Sequence, residues 1–123
     1  MLFTMLLAVL SFMMGLTAKT NKSFKELISP LNCTYAIMTK EGKQGRRYIF
    51  RDGKYSSDTV LKDYDMALVF ESADIGFKTL ALGGATGMQV AMNNYDLKLV
   101  GNRQLFNGFG ILLQISMGIV KRK

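Results

Sequence analysis

Between residues 31 and 102 the apolar residues fall into short stretches with a period of two, and around those stretches they recur every three or four positions. A period of two places alternate side chains on opposite faces of a strand, whereas three- and four-residue spacing lines one face of a helix. Cys33, Tyr35 and Ile37 alternate with Thr34, Ala36 and Met38, and Tyr48 and Phe50 alternate with Arg47, Ile49 and Arg51, with Gly42 to Gly45 supplying the reversal. Asp52-Gly53 is the two-residue turn that hairpins prefer, because both central residues take positive φ. A short third strand is therefore expected from Lys54-Tyr55, followed by a polar connection from Ser57 to Asp63 with only Val60 and Leu61 to tie it down. In Asp65 to Glu71, Met66, Leu68 and Phe70 alternate with Ala67, Val69 and Glu71, and both faces are mostly apolar, as in a strand buried within a sheet. Ser72 caps a helix with Asp74 in its first turn and Ile75, Phe77, Leu80 and Ala81 behind it, and Gly83-Gly84 ends that helix. A second apolar run, Met88 to Met92, leads through Asn93-Asn94 into a fifth strand, Asp96 to Val100, which Gly101-Asn102 closes.

Helical spacing governs both flanks. In Lys19 to Pro30, Phe24, Leu27 and Ile28 share a face, Lys22 and Glu26 are four apart, and Ser29-Pro30 stops the helix. From Gln104, the residues Leu105, Phe106, Phe109, Leu112, Leu113, Met117 and Val120 form a wide apolar stripe. Gly108 and Gly110 inside that stripe cost about 1 kcal/mol each relative to Ala, so they either let another element approach closely or leave room for a ligand. Five strands and three or more helices, with the helices covering one side of a largely antiparallel sheet, predict an α+β fold in a single domain over 1–123.

The Asp-led apolar strand, the glycine-terminated helix, the short second helix, the run Leu97-Lys98-Leu99-Val100-Gly101-Asn102 and the apolar last helix together resemble the sterol-carrier-protein type (SCP-2-like) lipid-binding domain. With the hairpin before them, the resemblance covers roughly 20–118. It departs from the family's common pattern where Asn94-Tyr95 stand for Gly-Lys and Gly84-Ala85-Thr86 stand for a proline-containing loop. The resemblance implies a five-stranded sheet backed by helices, with a fatty acyl chain, sterol or similar hydrophobe held in a tunnel between them.

Residues 1–18 carry no charge and are apolar almost all the way round. As a helix they would reach about 27 Å, close to the minimum for crossing a bilayer. Three readings stand side by side. A secretory signal normally has a basic start and small residues at its cleavage site; there is no Lys or Arg before Lys19, and Leu16-Thr17-Ala18 matches poorly. A membrane anchor would place Lys19, Lys22 and Lys25 on the inner side. A core helix would be the opening helix that domains of the resembled type lay across the sheet.

Composition narrows the chemistry. A chain of 123 residues makes one domain with a real core, and a single cysteine, Cys33, with no histidine removes an internal disulfide, Ser-His and Cys-His nucleophile systems, and the usual zinc and iron-sulfur ligand sets. Asp63 and Asp65 are the nearest approach to an acid pair, but at the lip of a strand such residues face water or cap a turn. Gly83-Gly84-Ala85-Thr86-Gly87 lacks the Lys-Ser/Thr ending of a phosphate loop and follows a helix where a phosphate loop follows a strand. No catalytic residue, metal site or cofactor is expected. The net charge of +7 is concentrated in 19–62, with ten basic against four acidic residues, and in the tail from Arg103. Such a half is either a solvated face or one that meets an anionic membrane or a nucleic acid. Nucleic acid is the weaker option, because Tyr48 and Phe50, the aromatics among the basic residues, fall on the core face.

What remains is apolar volume: nine Met and eight Phe alongside many Leu. Composition by itself reads as a Met-rich core, since Met fills irregular space; the family resemblance turns it toward a ligand tunnel walled by the helices of 72–92 and the closing helix. The expected lipid-binding residues are Phe70, Phe77, Leu80, Met88, Met92, Leu105, Phe106, Phe109 and Leu113. The expected function is non-catalytic binding and transfer of a hydrophobic small molecule such as a fatty acid, acyl lipid or sterol-like compound. The alternative is a membrane-tethered interaction module with a closed core. The chain ends Lys121-Arg122-Lys123, unlike a Ser-Lys-Leu peroxisomal address, so the expected location is the cytoplasm, peripheral on or anchored to a membrane through 1–18.

Overall fold

The computed structural model describes residues 2–82 and 87–117. Helix α1 (Leu2–Thr20) leads through the cap residue Asn21 into α2 (Lys22–Ile28). The strands follow: β1 (Cys33–Thr39), β2 (Gly45–Arg51), β3 (Lys54–Asp58) and β4 (Met66–Phe70). Next come α3 (Ala73–Phe77), a π-helical turn (Lys78–Leu82) and α4 (Gly87–Asn93). Strand β5 (Leu97–Gly101), a 3-10 turn (Arg103–Leu105) and α5 (Phe106–Met117) complete the order. Gly83 to Thr86, read above as a helix stop, and the basic end of the tail lie outside the described residues.

The sheet runs β3-β2-β1-β4-β5 and is mixed, with β1 and β4 parallel and the other three pairings antiparallel. Asp52 and Gly53 both take positive φ, 54° and 75°, between the paired Arg51 and Lys54, which is the expected hairpin turn. Entry into β4 is fixed by Asp65, whose carboxylate accepts the Thr34 N–H at 2.7 Å and whose carbonyl accepts the Asn102 N–H at 2.8 Å. Opposite it, Gly101 sits at φ +91°, where a Cβ would lie 2.5 Å from the Asp65 carbonyl oxygen. Only glycine satisfies both the dihedral and the contact there.

The two faces of the sheet are covered differently. Helices lie on the face carrying Tyr35, Ile37, Tyr48, Phe50, Met66, Leu68 and Phe70, and these side chains join the main core. On the other face Ala36, Met38 and Ala67 are buried beneath Leu61, Tyr64, Val69 and Val100. The β3–β4 connection therefore crosses that second face and is held more firmly than its polar composition suggests. Val60 is exposed; Leu61 and Tyr64 supply the apolar contact, and Arg47 clasps the rest. The Arg47 guanidinium donates to both carboxylate oxygens of Asp58, at 2.9 and 2.8 Å, and to the carbonyls of Lys62 and Asp63, at 2.9 and 3.3 Å.

Helix α1 buries one stripe and exposes another. Phe3, Leu7, Leu10 and Met14 recur at helical spacing and are essentially inaccessible. Met5, Val9, Phe12 and Leu16, on the outer side, are 48–67% exposed. Phe3–Thr20 is also long and apolar enough to cross a membrane, by length and composition alone. Where α1 passes α3, a Cβ on Gly76 would lie 2.6 Å from the Phe3 ring, so the crossing depends on the missing side chain.

Candidate ligand-binding interior

The layer between sheet and helices is built on aromatic rings. Phe109 of α5 stacks on Tyr35 of β1 with ring centres 4.2 Å apart and planes 10° from parallel, and lies 6.0 Å from Tyr48 of β2. Phe50 meets Tyr35 edge-on at 5.8 Å and Tyr55 at 5.3 Å. Phe3 meets Phe70 edge-on at 6.0 Å. Such pairs add about 0.5–1.5 kcal/mol each beyond the area they bury.

Two phenols in this layer tie α1 to the sheet. Tyr48 donates its hydroxyl to the Leu7 carbonyl at 3.0 Å, and Tyr55 donates to Ser11 Oγ at 2.9 Å. Burial pushes the ionisation of Tyr35, Tyr48 and Tyr55 up from the usual phenol value, so all three stay neutral donors at physiological pH. The Cys33 thiol is pushed up for the same reason. It is a small buried group in β1, as expected of a free cysteine in a strand.

Of the nine residues expected to wall a tunnel, Phe70, Leu80, Phe109 and Leu113 are buried in the main core. Phe77, Met92, Leu105 and Phe106 are partly buried against it. The side chain of Met88 lies outside the described residues. Tyr35, Tyr48 and the inner stripe of α1 share this layer without having been among the expected wall residues. Tyr48 was legible only as a core-face strand residue and Tyr35 only as an alternating position in a strand, and the α1 stripe was hidden because its neighbours are apolar too.

Open space lies beside this layer. A depression of about 300 Å³ is lined by Lys78 and Thr79 of the π-helical turn, Gly87, Val90 and Ala91 of α4, and Asn94 and Asp96. A second, of about 280 Å³, is lined by Lys40, Val69, Phe70, Glu71, Tyr95, Asp96 and Lys98. The two meet at Asp96, next to Tyr95, which is 90% exposed at positive φ. A π-helical turn often marks a functional position in a helix, and here it borders the first depression. Another depression, about 410 Å³, lies at the α1–α2 junction around Asn21. Among the described residues no group of three or more acidic, histidine or cysteine side chains is placed to hold a metal ion.

No family profile matches the chain, and no curated protein is significantly similar to it in sequence. Solved structures are similar in fold. A protein described as UbiJ-SCP2, a ubiquinone synthesis protein, superposes with a TM-score of 0.64 at 14% identity over 89% of this chain and 96% of its own. Sterol carrier protein 2 from Yarrowia lipolytica, in its apo form, gives 0.59 at 14% identity over 92% and 93%. Sterol carrier protein domain 2 of Helicoverpa armigera gives 0.57 at 12% identity over 94% and 91%. Near-complete coverage of both chains in each pair, with the mixed five-stranded sheet and its helical layer, makes this an SCP2-like α+β domain by fold.

Proposed function

We propose that this domain is a non-catalytic carrier that binds a hydrophobic molecule, a fatty acyl lipid or sterol-like compound, between its sheet and its helices. The observation that carries the reading is an SCP2-like fold whose main core, between sheet and helices, is built largely of apolar and aromatic side chains. Neighbours of the same fold are described as sterol carriers and as a ubiquinone synthesis protein, which supports sterol and isoprenoid ligands beside acyl chains. The wall comprises Phe70, Phe77, Leu80, Met88, Met92, Leu105, Phe106, Phe109 and Leu113. Because Phe109 and Tyr35 are in stacking contact, a ligand reaches the space between them by parting α5 from the sheet. Each methylene buried on binding contributes about 0.8 kcal/mol.

A membrane surface completes this reading. The exposed stripe Met5, Val9, Phe12 and Leu16 runs along α1 toward exposed Lys19, Lys22 and Lys25. Apolar insertion beside a basic cluster suits an anionic bilayer, where a carrier would load and unload. The test is titration of delipidated protein with a fluorescent sterol and a fluorescent acyl ester. Saturable binding of either is expected, with vesicle flotation that strengthens with anionic lipid and weakens on Phe12→Ser. Folded protein that takes up neither probe would refute the carrier reading, and flotation indifferent to Phe12→Ser would refute the membrane surface.

A further inference from the structure

Three tyrosines of the sheet point into the helical layer, and two of their hydroxyls have oxygen partners in α1. The third does not. Tyr35 is 1% exposed, yet among the described residues no oxygen or nitrogen accepts from or donates to its hydroxyl; the Cys33 thiol beside it is a weak sulfur partner. A buried phenol left in that state is uncommon, because an unsatisfied buried donor costs about 1–3 kcal/mol. Its place in the fold gives it a use. The ring is held by stacking on Phe109 and edge-on contact with Phe50, so the hydroxyl is fixed in direction. Over it lies Gly108 of α5, whose absent Cβ would sit 3.9 Å from the hydroxyl oxygen, and Gly108 is itself exposed. The donor therefore lies just under the surface of α5, at a position that carries no side chain.

We infer that Tyr35 is the polar anchor of the interior site, donating its hydrogen bond to an uncharged oxygen, a carbonyl, ester or hydroxyl, at the head of an otherwise apolar ligand. This rests on the carrier reading and narrows its ligand class. Burial keeps the phenol protonated, so it acts as a donor throughout the neutral range. A carboxylate head suits the spot less well. The Asp65 carboxylate, which accepts the backbone N–H of Thr34 between Cys33 and Tyr35 at 2.7 Å, sets a negative charge beside this part of β1 and opposes a second anion there. Long-chain alcohols, esters, ketones, quinones and sterols satisfy the requirement; free fatty acids are disfavoured.

The test compares ligands that share one alkyl chain and differ only at the head: tetradecanol, methyl tetradecanoate, tetradecanoate and tetradecane. Each displaces a fluorescent sterol or acyl-ester probe from delipidated wild-type protein, Tyr35→Phe and Gly108→Ala. The alcohol and ester should bind wild type more tightly than the carboxylate does. Tyr35→Phe should weaken the alcohol and ester by roughly threefold to tenfold, the worth of one hydrogen bond, and leave tetradecane unchanged. Gly108→Ala, whose methyl meets nothing closer than ordinary contact, should fold normally and weaken the same two ligands. Without ligand, Tyr35→Phe should melt no lower than wild type, whereas Tyr48→Phe, which loses the bond to Leu7, should melt lower. Equal binding of all four ligands by wild type and Tyr35→Phe would overturn the anchor while leaving the carrier standing, as would a ligand-free Tyr35→Phe as destabilised as Tyr48→Phe. Failure of wild type to bind any probe would overturn both.

Discussion

Gly76→Ala reports directly on whether α1 rests on the rest of the domain. In an exposed helix the change is favourable, by about 1 kcal/mol of helix propensity. Here the added methyl would stand 2.6, 3.0 and 3.1 Å from three atoms of the Phe3 ring. That ring cannot retreat easily: it is 1% exposed and already edge-on to Phe70 at 6.0 Å. Overpacking of a rigid neighbour costs about 1–3 kcal/mol, so the net effect is a loss of up to about 2 kcal/mol. A melting temperature several degrees lower is expected for a domain of this size. The same substitution made on a Phe3→Ala background meets empty space and recovers the helix gain. A thermal or urea double-mutant cycle should therefore give a coupling between positions 3 and 76 of about 1–3 kcal/mol. If Gly76→Ala stabilises equally on both backgrounds, Phe3 does not pack on α3, and α1 is not part of this core.

Two further substitutions and two pH dependences test other joints of the fold. Gly101→Ala combines a left-handed φ with a 2.5 Å approach to the Asp65 carbonyl, and it should cost about 3 kcal/mol or more; a variant with wild-type melting behaviour would contradict the β4–β5 closure. Arg47→Ala removes the clasp on the β3–β4 connection and should cost about 1–2 kcal/mol and speed proteolysis within 59–64, read by limited digestion. Because Arg47 holds the Asp58 carboxyl below its ordinary range, the pair's contribution is complete above pH 3.8 and is lost as pH falls through the lowered folded value. Tyr35 and Tyr48 behave oppositely. Their folded ionisation lies above the ordinary 10.0, so the unfolded chain loses its protons first and stability is complete below pH 10. Above that pH each should remove roughly 1.4 kcal/mol per pH unit. Alkaline titration followed by tyrosinate absorbance should show cooperative ionisation coincident with unfolding; gradual, independent titration of these phenols in folded protein would contradict their burial.

The strands and their turns could be read along the chain because each leaves a local signature. Tyr48 and Phe50 sit on the core side of the sheet to which the alternation assigned them, and Asp52-Gly53 takes the positive φ that the dipeptide implies. The parallel pairing of β1 with β4 had no such signature, because it joins segments separated by a hairpin and a crossing connection. The inner face of α1 was unreadable for a different reason: with apolar residues on nearly every side, the stripe Phe3, Leu7, Leu10 and Met14 does not stand out from Met5, Val9, Phe12 and Leu16. The π-helical turn at Lys78–Leu82 likewise departs from a helix whose sequence spacing continues unbroken. In the interior layer, Phe109 and Leu113 followed from helical spacing. The difference between Tyr35 and the other two phenols has no sequence signature, because it depends on which oxygens α1 brings to Tyr48 and Tyr55.

The carrier account is tested most directly by what the protein holds. Purified under native conditions and extracted into organic solvent for mass spectrometry, it should yield a hydrophobic molecule in stoichiometric amount, carrying an uncharged oxygen at one end. An empty extract from folded protein that also fails to take up added sterol or acyl ester would contradict the account and identify the aromatic layer as closed core.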